Sequence, residues 1–77
     1  MKELTGVKLD RFLHLKAKSY NKLVEQGDVE SAQFELNAFM RHGGFSKEDS
    51  MGLIDTQANY GSSKFFLELR ELQIEAA

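Results

Sequence analysis

Apolar residues recur every three or four positions through most of the chain, and glycines interrupt the recurrence at Gly27, at the pair Gly43-Gly44 and at Gly61. Spacing of i, i+3, i+4 and i+7 gathers side chains on one face of a 3.6-residue helix, so the pattern predicts four helices and no sheet. The first runs from about Leu4 or Lys8 to Gln26, with Leu9, Phe12, Leu13, Ala17, Tyr20, Leu23 and Val24 on its inward stripe. The second, Val29 to His42, turns Val29, Ala32, Leu36, Phe39 and Met40 inward. The third is short, about Lys47 to Asn59, and Gly52 weakens it by about 1 kcal/mol relative to alanine. The fourth is placed at about Lys64 to Glu75. Phe65-Phe66-Leu67-Glu68-Leu69-Arg70 would also alternate as a strand, but the Glu, Leu, Arg, Gln and Ala around it favour helix and no partner strand is visible.

The segment Leu23-Val24-Glu25-Gln26-Gly27-Asp28-Val29-Glu30-Ser31-Ala32 reads as one helix ending and an antiparallel neighbour beginning within two residues. Glycine accepts the left-handed backbone that closes a last turn, and Asp28 is placed to accept the amide of Glu30 or Ser31 as the next N-cap. Ser46 is a second N-cap, followed by Glu48 and Asp49 in a first turn where carboxylates favour the helix dipole. Ser62 or Ser63 is expected to cap the last helix. The predicted fold is therefore all-α: a small bundle of three long helices and one short one, its first two forming an antiparallel αα-hairpin.

Seventy-seven residues suit a single helical domain over 1–77, and a chain this short buries only about 60–65% of its unfolded surface. Cysteine is absent, which removes disulfides and cysteine-based zinc sites, so helix packing or self-association must stabilise the fold. With no signal-peptide pattern the expected location is cytoplasmic, and no apolar run approaches the ~20 residues of a membrane span. The formal charge is −2, but its distribution is uneven: residues 1–26 hold six cations and three carboxylates, residues 27–77 four cations and nine carboxylates. A chain polarised in this way can satisfy its charges internally or head-to-tail with a copy of itself.

No motif of comparable clarity points to chemistry. His14 and His42 are the only histidines, and Asp10 with His14 at i, i+4 fits a local ion pair better than a metal site, which needs three or four ligands. No Gly-x-Ser-x-Gly elbow, phosphate-binding glycine loop or clustered acid pair is present, so no catalytic residue, cofactor or metal is expected and the protein is read as a non-enzyme.

The remaining signals concern surfaces. On a helical wheel the last helix puts Phe65, Leu69 and Leu72 on one side and Leu67 and Ile74 on nearly the opposite side, with Phe66 between. Either the other three helices enclose it, or one stripe serves a dimer seam or a partner, since exposed apolar patches mark contacts. Phe34 stands away from the inward stripe of the second helix, beside Glu30, Asn37 and Arg41; it is either covered by the last helix or, with Arg41, anchors a partner. Phe34, Arg41, Phe66, Leu67, Arg70 and Ile74 are thus the candidate protein-binding residues. Lys8, Arg11, Leu15, Lys18 and Lys22 form a stripe on the outer side of the first helix, and its four cations are the candidate contacts for nucleic acid in the alternative reading. Lys16 falls within the apolar stripe, where a lysine stem lies along the core and its ammonium reaches water.

Two resemblances are local. Asp55-Thr56-Gln57-Ala58-Asn59-Tyr60-Gly61-Ser62-Ser63-Lys64 is similar to a helix-turn-helix, but Gly61 follows Ala58 by three positions where that pattern has four, and the second helix would open on apolar Phe65-Phe66-Leu67. Gly27-Asp28-Val29-Glu30-Ser31-Ala32 resembles the turn between the two helices of a tetratricopeptide repeat, over about ten residues. The family's large aromatic, glycine, later alanine and closing proline fall on Lys16, Tyr20, Phe39 and Gly44, while Gly61 lies one 34-residue period after Gly27, with Phe66 in the place of Ala32. The likeness is that of a shared helical-hairpin solution. The function expected from the whole is a small intracellular protein-interaction or regulatory module acting through apolar helix faces, as a homodimer or with a protein partner. The alternatives are nucleic-acid binding through the basic stripe and a structural subunit of a larger assembly such as a phage particle.

Overall fold

Gly6–Glu25 (α1), Val29–Gly43 (α2), Lys47–Tyr60 (α3) and Ser62–Ala76 (α4) are the four helices of the computed structural model, which describes residues 6–76. The architecture is all-α, and α3 is the shortest helix at 14 residues. The alternative start of the first helix at Leu4 lies outside the described residues.

Each junction follows from local chemistry. After α1, Gly27 takes φ +81°, its N–H donates to the Val24 carbonyl at 3.0 Å, and the Asp28 N–H donates to the Leu23 carbonyl at 2.9 Å. That reciprocal pair satisfies two carbonyls the helix end would otherwise orphan. Asp28 then caps α2, its Oδ1 accepting the Ser31 amide at 3.1 Å, and Ser46 Oγ caps α3 by accepting the Asp49 amide at 3.1 Å. The last junction differs from expectation. Gly61 alone joins α3 to α4: its N–H donates to the Gln57 carbonyl at 3.1 Å and its carbonyl accepts the Phe65 N–H at 3.2 Å. Neither Ser62 nor Ser63 caps α4, because the glycine carbonyl opens the helix one residue earlier.

α1 is the hub. It packs against α2 along the hairpin and against both α3 and α4, whereas α2 and α4 share no close backbone approach. Leu13 and Ala17 of α1, Leu36 and Phe39 of α2, Leu53 and Ile54 of α3, and Phe65 and Leu69 of α4 form one buried cluster, with Leu9, Phe12, Tyr20, Met40 and Leu72 packed around it. Two expected core positions are exposed: Val24 and Val29 flank the Gly27 turn at the tip of the hairpin, where the helices end and fewer neighbours remain to cover them. The molecule measures 35 × 31 × 20 Å. Its shortest dimension holds about two helix diameters of 10–12 Å, so every helix keeps one face in water and none is enclosed by the other three.

Polar contacts lock the helices at defined positions. Lys16 Nζ lies 2.8 Å from Glu35 Oε2 and 5.3 Å from the Phe12 ring centroid. Its ammonium therefore closes the α1–α2 hairpin, a more specific role than reaching water. Asn21 Nδ2 donates to the Ile54 carbonyl at 3.0 Å and to Gln57 Oε1 at 2.9 Å, tying α1 to α3. Gln73 Nε2 donates to Asp10 Oδ1 at 3.0 Å and ties α4 to α1. The Thr56 hydroxyl lies 2.7 Å from Glu68 Oε2 and 3.0 Å from the Gly52 carbonyl, linking α3 to α4.

Candidate interaction surfaces

α4 is two-faced. Phe65 and Leu69 are sealed in the core, while Leu67 and Ile74 are 63% and 66% exposed on the opposite side. Arg70 is exposed beside them. Phe66 lies at the edge of this face, 36% exposed, with its ring centroid 5.0 Å from that of His14 and 5.4 Å from that of Phe65. Half of Phe66 thus packs within the molecule and half extends the outer apolar strip.

Phe34 is 70% exposed, and α4 does not cover it, because α4 lies against α1 and α3. Arg41 is exposed two turns further along the same face of α2. The six candidate protein-binding residues therefore form two separate patches, Phe34 with Arg41 on α2 and Phe66, Leu67, Arg70 and Ile74 on α4.

Lys8, Arg11, Lys18 and Lys22 all point outward from α1, with exposed Leu15 in their midst. The one ion pair among the described residues is that of Lys16 with Glu35, so the four stripe cations have no carboxylate partner among them. Lys18 and Lys22 border a shallow open groove of about 810 Å³ whose walls include Leu15, Val24, Gln57 and Ala58.

A second groove, of about 430 Å³, lies between α3 and α4. Glu48 and Asp49 line it from α3, Glu68, Glu71 and Glu75 from α4, and Leu53 and Leu72 form its apolar floor. Glu48 and Asp49 were legible as a first-turn pair in the sequence; their convergence with three carboxylates some twenty residues later was not, because only the one-residue Gly61 link folds α4 back beside α3.

His14 departs from its expected pairing. Asp10 is taken by Gln73, and His14 Nε2 lies 2.9 Å from Ser62 Oγ, its ring edge-on to Phe65 at 5.3 Å. Burial against these rings, and then the charge of Lys18, lower its pKa below the ordinary 6.5, so the imidazole is held neutral. A serine–histidine contact of this kind is the beginning of a nucleophile and base; among the described residues no carboxylate hydrogen-bonds the ring, and the contact joins α1 to α4. No group of three metal-ligating side chains occurs among the described residues. The α3–α4 junction is likewise no helix-turn-helix: that motif uses a three- or four-residue turn, and Phe65, which would open the recognition helix, is buried. Nor do Gly27 and Gly61 mark structural repeats, since Ala32 is buried in the helix crossing while Phe66 sits at the surface. No helix among the described residues is long and apolar enough to cross a membrane. Compared with protein-family models, with curated proteins and with solved structures, the chain matches none.

Proposed function

We propose that this protein is a small interaction module of the cytoplasm whose outer α4 face, Phe66, Leu67, Arg70 and Ile74, binds a protein partner, a second copy of the chain included. The observation that carries this reading is the division of α4: one face is sealed with Phe65 and Leu69, and the other offers Leu67 and Ile74 to water two turns apart. A helix needs only one apolar face to fold onto a core, so a second one is surplus to folding and suits binding. Arg70 supplies the type of residue, an arginine beside apolar anchors, in which binding hot spots are enriched. Phe34 with Arg41 on α2 is a second, separate patch of the same character.

The test is Leu67→Ser combined with Ile74→Ser. Both side chains are exposed, so the variant should retain helicity and melting temperature while losing capture of a protein partner, or any self-association that persists at about 1 M salt. Unfolding of the double variant would place these positions in the core and end the proposal. Nucleic-acid binding through Lys8, Arg11, Lys18 and Lys22 is the second reading, favoured by their joint exposure on one face of α1. It requires retention of random duplex that weakens steeply with salt, because phosphate contacts release counterions.

A further inference from the structure

The outer face of α1 and the groove between α3 and α4 are complementary in sign and in length. The α1 stripe carries Lys8, Arg11, Lys18 and Lys22 around a Leu15 that is 63% exposed. The groove is concave, with five carboxylates around a half-buried Leu72, and Leu53 is sealed beneath it. Leu15 and Lys22 are seven residues apart on α1, as Glu68 and Glu75 are on α4, and at 1.5 Å per residue each interval spans about 10 Å. One molecule cannot join the two surfaces. α1 faces α3 and α4 through Asn21, His14 and Asp10, which turns the stripe away from its own groove.

We propose that the α1 stripe docks into the α3–α4 groove of a second copy of this chain. Leu15 then meets Leu72, and Lys18 and Lys22 meet Glu68, Glu71 and Glu75 across the interface. Five carboxylates in one groove build a local negative potential that incoming cationic side chains relieve. Because the two surfaces differ, the contact is heterologous: each bound copy presents a fresh stripe and a fresh groove, and association continues until a ring closes or a filament grows. This contact is independent of the outer α4 face, whose Leu67 and Ile74 lie outside the groove lining.

The experiment is sedimentation or light scattering across a concentration series, on the natural chain and on the Leu67→Ser/Ile74→Ser variant, at about 0.01 M and about 1 M salt, where the Debye length is about 30 Å and 3 Å. Mass should rise with concentration at low salt in both proteins, and association should weaken tenfold or more at high salt. Lys18→Glu/Lys22→Glu and Glu71→Lys/Glu75→Lys should each abolish association alone and restore it when mixed, since an acidic stripe then meets a basic groove. Circular dichroism checks that both remain helical; the salt response of the natural chain stands as the test should either fail to fold. A monomer at low salt, association indifferent to salt, or a mixture that stays monomeric overturns the proposal. Retention of a random DNA duplex by a protein that remains monomeric also overturns it, assigning the stripe to nucleic acid.

Discussion

Ser62 Oγ and His14 Nε2 meet at 2.9 Å across 48 positions of sequence, at the point where the start of α4 crosses α1. Burial against Phe65 and Phe66, and then the nearby charge of Lys18, favour neutral imidazole. With the folded pKa below the unfolded 6.5, the unfolded chain binds more protons as acid is added. The stability from neutral His14 is complete above pH 6.5 and is lost as pH falls through the folded pKa. Thermal melts between pH 7.5 and 5 should show this loss, and His14→Gln should reduce it. The His14 ring should titrate below 6.5 by NMR; a midpoint at or above that value contradicts the account.

Gly44 and Gly52 should respond to alanine in opposite directions. Gly44 closes α2 at φ +71°, where a Cβ is strained, so Gly44→Ala should cost about 1 kcal/mol. Gly52 lies inside α3 with nothing within 4 Å of an added Cβ, so Gly52→Ala should stabilise by about 1 kcal/mol. Urea unfolding midpoints measure both, and like signs would contradict the backbone argument.

Phe65 and Phe34 provide the matching test for side chains. Phe65 is fully enclosed and Phe34 is 70% exposed, so Phe65→Ala should cost about 3–5 kcal/mol and unfold much of this small protein. Phe34→Ala should change stability by less than about 0.5 kcal/mol. A large loss at Phe34 would mean that it is covered.

Ser50 is enclosed in the core, and its Oγ has no hydrogen-bond partner. A buried hydroxyl without a partner carries its full desolvation cost, so Ser50→Ala should raise stability by about 1 kcal/mol, read as a higher urea midpoint at unchanged m-value. A loss of stability would indicate that the hydroxyl is satisfied.

Lys16 and Glu35 are both mostly shielded from water, so their coupling should exceed that of a solvated pair. A double-mutant cycle with Lys16→Met and Glu35→Gln should return about 1 kcal/mol at low salt. A coupling near zero would reduce the contact to a surface encounter.

The helices, the Gly27 turn and the caps at Asp28 and Ser46 were legible in the sequence, because period, positive φ and N-terminal capping act over a few residues and need no knowledge of the fold. The amphipathic stripe also fixed which side of α1 carries the exposed cations, and the wheel of α4 showed that Phe65 and Leu67 must face different surroundings. Only the tertiary structure decided what those surroundings are. A molecule two helices thick leaves one side of every helix in water, so Leu67 and Ile74 face outward and α4 is not enclosed. It also decided that His14 meets Ser62 and Lys16 meets Glu35, and that five carboxylates from α3 and α4 share one groove. Pairings between distant segments depend on how helices cross, and crossing is set by the whole packed core, whereas a turn or a cap is set by its own few residues.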